Sequence, residues 1–265
     1  MSRVDIIKKQ QDLSYLSWDE SARPSGLGGH TLKAREGTGV HAVFYKIPTM
    51  RGFEQDKVAF AQLICMRLMD ALGFKHLPFQ LVNAKIADGS SVWVVKSKSY
   101  RGTGESAISL EQFCNLRARQ GETPLELCAR HGWERQVAEC MLVDYLTATR
   151  DRDISCFDVI RGSDGCLRLA PIQPRAFSLG NAFPLDMWRR DPAVELGTSN
   201  YIGSPSLEEN LRFAIDQLGV LERPRGLKRA LLANLDDVGL PPIFLEAAWT
   251  IIDTRWERYA SICDL

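Results

Sequence analysis

Three short segments carry the residue types that phosphoryl transfer uses. The glycine pair Gly28-Gly29 precedes two predicted strands; Lys33 follows the pair, and Lys46 ends the second strand. Far along the chain, Asp151 stands between two arginines where a predicted helix ends. Backbone amides and lysines can hold phosphates, and an acid can orient the hydroxyl that attacks them. Together these residue types are typical of a site that binds a nucleotide and transfers its phosphate.

Each segment also has a common structural explanation. A strand-end lysine such as Lys46 often only reaches solvent, and a glycine pair often only forms a flexible turn. Asp151, with an arginine on each side, is typical of solvated surface charge. The GxxxxGK[ST] and GxGxxG phosphate motifs are absent. The order of the segments along the chain is therefore more informative than any single one.

That order resembles the HipA-like kinase family. Residues 28–34 are similar to its GGxxPKA loop, with Leu32 in place of the proline, and Phe44-Tyr45-Lys46 resembles the strand bearing its ATP-contacting lysine. Three further segments resemble the family's LCMRLA…LG helix, its D-x-L-x-x-x-x-D-R-H-x-x-N-F catalytic segment, and the LAP sequence before its metal-binding aspartate; they are residues 63–73, 144–157 and 169–172. The pieces span residues 28 to 178 in the family's order.

The resemblance implies an α+β protein with a two-lobed protein-kinase-like fold. A small β-rich N-lobe is expected over residues 1–97 and a larger α-helical C-lobe over residues 98–265. The family pattern further implies an ATP-binding site. It also implies that Asp151 orients the hydroxyl that accepts the phosphate. The residues expected to bind the nucleotide are Gly28, Gly29, Lys33, Lys46 and Gln62.

The departures from the family pattern fall on its polar centre. Gln62 stands where the family helix has a glutamate that pairs with the lysine, and Asp153 stands where it has a histidine. Cys156 and Pro174 replace the metal-binding asparagine and aspartate. A magnesium ion prefers oxygen ligands, so no residue is assigned as a metal ligand. Losing the metal's charge should cost several kcal/mol of transition-state stabilisation, or several orders of magnitude in rate.

These departures favour a pseudokinase, a nucleotide-binding or scaffolding module that acts through a protein partner. The alternative is an active serine/threonine kinase that transfers the ATP γ-phosphate with displaced metal ligands, for which Asp153, Asp158 and Asp164 are candidate carboxylates. A third hypothesis is a small-molecule kinase built on the same two lobes. Family analogy also implies a DNA-binding, antitoxin-like partner.

Composition bears on the expected binding partners and cellular location of the protein. The chain has 33 Lys and Arg against 33 Asp and Glu, which argues against direct nucleic-acid binding. Its longest stretch without these residues, 196–207, is too short to span a membrane, and the first residues form no signal peptide. Seven cysteines without CxxC spacing predict reduced thiols and a cytoplasmic location.

Hydrophobic periodicity predicts the elements that carry the N-lobe residues. A strand is expected over 40–47, and a helix over 53–72 that ends at Gly73. A hairpin is expected over 79–96, with its turn at Asp88-Gly89.

In the C-lobe, the pattern predicts a helix over 133–149 and a second hairpin over 156–172. Ser206 and Glu209 form a possible capping box for the next helix. Pro241-Pro242 is expected to open the last helix.

Overall fold

The computed structural model describes residues 4–19, 32–48, 55–150, 152–175, 178–179, 192, 197 and 201–264. Gly28, Gly29 and Asp151 lie outside these ranges. The described part combines a five-stranded sheet, a three-stranded sheet and several helices, so the α+β fold class is confirmed.

The N-lobe is built on the five-stranded sheet. Its strands, in spatial order, are β1 (Ile6–Asp12), β4 (Phe79–Lys85), β5 (Ser91–Lys98), β3 (Val43–Lys46) and β2 (Lys33–Glu36). β1 pairs with β4 in parallel, and the other neighbours are antiparallel. The sequence pattern missed β1, because its polar side chains suit an exposed edge strand and hide any alternation.

The turns of this sheet follow the sequence closely. The predicted hairpin between β4 and β5 is confirmed, and Gly89 in its turn has φ +83°, a value that favours glycine. The strand predicted over 40–47 is shorter than expected. Residues Gly39–His41 form a 3-10 turn instead, and β3 begins only at Val43.

One helix, α1 (Gln55–Leu72), covers one face of the sheet. It ends as predicted at Gly73, which has φ +70°. Buried α1 side chains pack with Leu81 and Val95 of the sheet in the main core. The opposite face carries a second, smaller core that includes Tyr45 and Val94. Each face of the sheet therefore packs in its own hydrophobic core.

The C-lobe is mostly helical. Its helices are α2 (Leu110–Arg117), α3 (Pro124–Arg130), α4 (Glu134–Leu146), α5 (Leu207–Leu218), α6 (Leu227–Leu232) and α7 (Pro242–Ile262). Residues 137–146 of α4 are all buried, and α4 packs against α5 and α7. α7 begins at Pro242 as predicted. Within the described part of the chain, no helix is both long and apolar enough to cross a membrane.

A small sheet completes the C-lobe, with strands β6 (Ser106–Ser109), β7 (Asp158–Arg161) and β8 (Leu167–Leu169) in that order. The hairpin of β7 and β8 was predicted, whereas β6 was not. The capping box is only half formed. The Ser206 side chain accepts from the Glu209 backbone, but the Glu209 carboxylate binds Ser204.

Candidate functional site

Two of the predicted nucleotide-binding lysines are neighbours in the sheet. Lys33 of β2 and Lys46 of β3 are directly opposite each other, so their side chains share one face. Lys46 is also opposite Val95 of β5, which packs in the core formed with α1. The two lysines therefore lie on the α1 face of the sheet, which we call the lysine face. Adjacent cations on one face suit a polyanion such as a nucleotide phosphate chain.

Gln62 belongs to the helix that covers this face. Its side chain is only 2% exposed, and its Nε2 has no hydrogen-bond partner among the described residues. A buried donor without a partner costs free energy, and an acceptor oxygen of a bound ligand would remove that cost. A neutral amide cannot form the ion pair that a glutamate at this position would make with a lysine.

A cavity of about 360 Å³ opens beside the lysine face. Its walls are the turn over residues 38–41, Phe44 and Arg35, and the segment that links the two lobes. Phe44 lies on the lysine face, because it is two residues before Lys46 on the same strand. The Arg35 guanidinium lies 5.9 Å from the centre of the Phe44 ring. The cavity thus joins an aromatic surface to the chain between the lobes.

That linking chain, residues 99–105, is called here the crossing segment. Its Ser99 amide donates to the Ala42 carbonyl at 3.0 Å, which ties it to the N-lobe. On the C-lobe side, the Tyr100 hydroxyl donates to Asp158, and Arg168 pairs with Glu105 at 2.7 Å. Contacts on both sides therefore fix the segment between the lobes.

The catalytic-like segment of the C-lobe is held by a buried ion pair. Arg152 donates from Nε and Nη2 to the two oxygens of Asp144, at 2.5 and 2.8 Å. Both side chains are at most 2% exposed. Arg152 Nη1 also donates to the Gln173 carbonyl at 3.0 Å, and the Tyr201 hydroxyl donates to Asp144 at 2.8 Å. Arg152 thus connects two parts of the chain that resemble the family pattern: residues 144–157, and Gln173 directly after residues 169–172.

This network was missed at the sequence level. The sequence analysis assigned no role to Arg152, and its side chain is buried. A signal did exist, since Asp144 follows a run of apolar residues in a predicted helix, and a buried carboxylate there needs a partner. The Asp144 charge, acting against the effect of burial, raises the pKa of Arg152 further above its usual value. Arg152 therefore keeps its positive charge.

The two positions that would hold metal ligands follow members of this network along the chain. Cys156 closes the 3-10 turn Ile154–Cys156 and is half-buried. Pro174 follows Gln173, whose carbonyl Arg152 binds. A thiol and a proline offer no side-chain oxygen, so this donor set does not fit a magnesium ion.

The three candidate replacement carboxylates already bind protein groups. Asp153 accepts from the Ser155 amide at 2.6 Å, and Asp164 accepts from the Cys166 amide at 2.9 Å. Asp158 is buried, accepts from Tyr100, and has its pKa raised by burial. Within the described ranges, no three His, Cys, Asp or Glu side chains group as a metal site.

The structure therefore brings some of the predicted site residues together. Lys33 and Lys46 share one face of the sheet, and Gln62 lies on the helix that covers it. The two loop glycines and Asp151 were also assigned to the site, and they lie outside the described residues. The nucleotide-binding and catalytic roles of all these residues remain predictions.

Comparison with solved structures identifies the class of fold. The crystal structure of CtkA, a Helicobacter pylori proinflammatory kinase, matches with a TM-score of 0.64 at 13% identity, over 95% of both chains. The chain therefore has the two-lobed kinase-like fold predicted from the resemblance to HipA-like kinases.

A second matching structure is the Shewanella oneidensis toxin–antitoxin complex of HipA, HipB and operator DNA. The TM-score is 0.48 at 13% identity, over 94% of this chain and 68% of that chain. No family model matches the sequence, and no curated protein matches it.

Proposed function

We propose that the protein is a pseudokinase that binds a nucleotide without depending on magnesium and acts through a protein partner. One observation carries the proposal. The Asp144–Arg152 pair holds the catalytic-like segment in place, while the two expected metal-ligand positions carry Cys156 and Pro174. The framework of a kinase site is thus present without its metal donors.

Nucleotide binding needs none of the missing donors. Lys33 and Lys46 would contact the phosphates, and the Gln62 amide would supply one more donor. The loop amides of Gly28 and Gly29 would add backbone contacts. The cavity beside Phe44 offers an aromatic surface for the base. ATP is therefore the proposed ligand, bound mainly through cationic and aromatic contacts.

Phosphate transfer would be slow in this arrangement. Asp151 would orient an acceptor hydroxyl, but the metal that normally neutralises charge between the phosphates would have no suitable donors. An active serine/threonine kinase with displaced ligands is the alternative. It requires Asp153, Asp158 or Asp164 to exchange its present protein contacts for a metal ion.

We also propose that the protein works in the cytoplasm and that its lobes divide near residue 97. A DNA-binding, antitoxin-like protein is one candidate partner, and the family resemblance supports it. The equal numbers of basic and acidic residues favour contact through such a partner over direct binding to DNA.

A thermal-shift titration with ATP and ADP, with and without magnesium, tests the proposal. Wild type should show a small rise in Tm that magnesium does not change. Lys46→Ala should weaken binding by about tenfold or more, because one charge-assisted contact contributes about 1.5–3 kcal/mol. Lys85→Ala is the matched control, since this lysine is exposed at the far end of β4.

Other outcomes identify the rival functions. Robust magnesium-dependent autophosphorylation that Asp151→Ala abolishes would show an active protein kinase. Turnover of ATP with a small-molecule acceptor and no protein substrate would show a small-molecule kinase. The absence of any shift at millimolar nucleotide would leave a scaffold that does not bind ATP.

A further inference from the structure

A second cavity, of about 680 Å³, extends from the sheet face opposite the lysine face. Two lysines that line the cavity show on which face of the sheet it lies. Lys96 is opposite Tyr45, and Lys98 is opposite Val43. Tyr45 packs in the small core away from α1, so these lysines point away from Lys46. The cavity extends past the strand ends to Arg168 of β8. Among the described residues, its lining shares only Ser99 of the crossing segment with the cavity beside the lysine face.

Four cationic side chains line this cavity: Lys75, Lys96, Lys98 and Arg168. No carboxylate is among the described residues that line it. Two acids bind lining residues from outside the cavity: Glu105 pairs with Arg168 at 2.7 Å, and Asp158 accepts from the Tyr100 hydroxyl.

The other three cations differ in their surroundings. Lys96 lies 5.6 Å from the centre of the Tyr45 ring, whose hydroxyl donates to Glu36. Lys75 and Lys98 are exposed and make no ion pair with any described residue. Like charges that surround one cavity repel each other, and a bound anion would offset that repulsion.

The rest of the lining sets the kind of anion. Leu77, Pro78, Phe79 and Pro171 contribute apolar surface. The volume falls within the range of about 300–1,000 Å³ typical of small-molecule sites. Apolar walls with cations converging on them suit a compact organic anion, since charge-assisted contacts fix its orientation.

We propose that this cavity binds a small-molecule polyanion, a compound with two or more phosphate or carboxylate groups. The ligand would contact β5 of the N-lobe and β8 of the C-lobe, with the crossing segment between them. It would therefore stabilise the arrangement of the two lobes. The inference does not rest on nucleotide binding at the lysine face.

The test uses inorganic pyrophosphate and citrate as probes, titrated separately by calorimetry at constant ionic strength. Wild type should bind at least one of them. Lys75→Ala/Lys98→Ala should bind that probe at least about tenfold more weakly, equal to about 1.4 kcal/mol. Lys9→Ala/Lys85→Ala removes two exposed lysines from the same sheet and should bind within about twofold of wild type.

Lys46→Ala separates the two sites, because binding that Lys46→Ala removes belongs to the lysine face and binding that Lys75→Ala/Lys98→Ala removes belongs to this cavity. Preference for pyrophosphate or for citrate would identify phosphates or carboxylates as the recognised group. The inference is overturned if wild type binds neither probe, or if both double variants lose affinity equally. It is also overturned if Lys46→Ala, and not the Lys75/Lys98 variant, abolishes binding.

Discussion

Two parts of the C-lobe that lie close in sequence differ in burial and in the number of hydrogen bonds that hold their side chains. Asp144 and Arg152 are buried, bound to each other through two hydrogen bonds, and joined to Tyr201 and Gln173. Cys156, only four residues beyond Arg152, is half-buried and holds a position where the family pattern has a metal ligand. Pro174 is the second such position, directly after Gln173.

The difference separates residues on which the fold depends from positions that, in the proposed pseudokinase, no longer bind a metal. A buried charge that loses its partner is very costly, so neither member of the Asp144–Arg152 pair can change alone without destabilising the fold. A metal ligand contributes to the site only when metal is bound, and its replacement need not disturb the packing. In the proposed pseudokinase, the framework therefore persists without the metal donors.

Asp144→Ala should produce the largest effect. It leaves the Arg152 charge buried without its carboxylate, which should lower the free energy of unfolding by about 3–5 kcal/mol. Urea denaturation measures this loss. Where the single variant does not fold, Asp144→Leu/Arg152→Met removes both charges and should recover most of the stability.

The matched control is Asp237→Ala, because Asp237 pairs with Lys8 while both side chains are about half exposed or more. That change should cost about 0.5 kcal/mol or less. Equal losses for Asp144→Ala and Asp237→Ala would remove the distinction between a structural framework and ordinary surface charge.

Restoring the metal donors should produce the next largest effect. Cys156→Asn/Pro174→Asp supplies two side-chain oxygens at the positions where the family pattern places metal ligands. With nucleotide at about 100 times its Kd, magnesium should then raise Tm by about 5 °C beyond the effect of nucleotide alone. Wild type should show no such difference in a thermal-shift assay.

Cys166→Asn is the control for this pair, since Cys166 is exposed and follows the turn between β7 and β8. It should leave the magnesium response at the wild-type level. A magnesium effect already present in wild type would mean that other carboxylates complete the metal site, contrary to the proposed pseudokinase.

Asp158→Asn should produce the smallest effect. It tests whether the buried Asp158 carboxylate, which accepts from Tyr100 of the crossing segment, affects stability in a pH-dependent way. Burial raises the pKa of Asp158 above the ordinary value of 3.8, so the folded state keeps its proton to a higher pH than the unfolded state. Stability from this group is therefore lost as pH rises above about 3.8. Asparagine can still accept from Tyr100, so the variant should gain stability relative to wild type as pH rises.

Asp88→Asn is the control of opposite sign. A hydrogen bond from the Ser90 side chain lowers the pKa of Asp88, so its contribution is gained as pH rises to the unfolded value. That variant should lose stability relative to wild type as pH rises to about 3.8, which is below the range in which the Asp158 contribution changes. Denaturation curves between about pH 2 and 7 provide both comparisons, and a pH-independent difference for Asp158→Asn would contradict the burial of its carboxylate.

Local pattern was enough for several elements of both lobes, although the short helices α2, α3 and α6 were not predicted. The α1 helix and the glycine that ends it, both hairpins, and the proline that opens α7 all follow from periodicity and turn chemistry within short windows. Elements whose identity depends on distant partners were missed. β1 is a strand because β4, more than 70 residues away, pairs with it, and β6 likewise depends on β7.

The candidate site divides in the same way. The sequence alone determined that Cys156 and Pro174 offer a metal no side-chain oxygen, because that follows from the chemistry of the two residues. The order of strands and loops also led to the prediction that Lys33 and Lys46 contact the nucleotide. Only the tertiary structure decided that Lys33 and Lys46 share a face and that Arg152 is buried against Asp144. Strand register and burial depend on contacts between segments far apart in the chain, and no local pattern contains them.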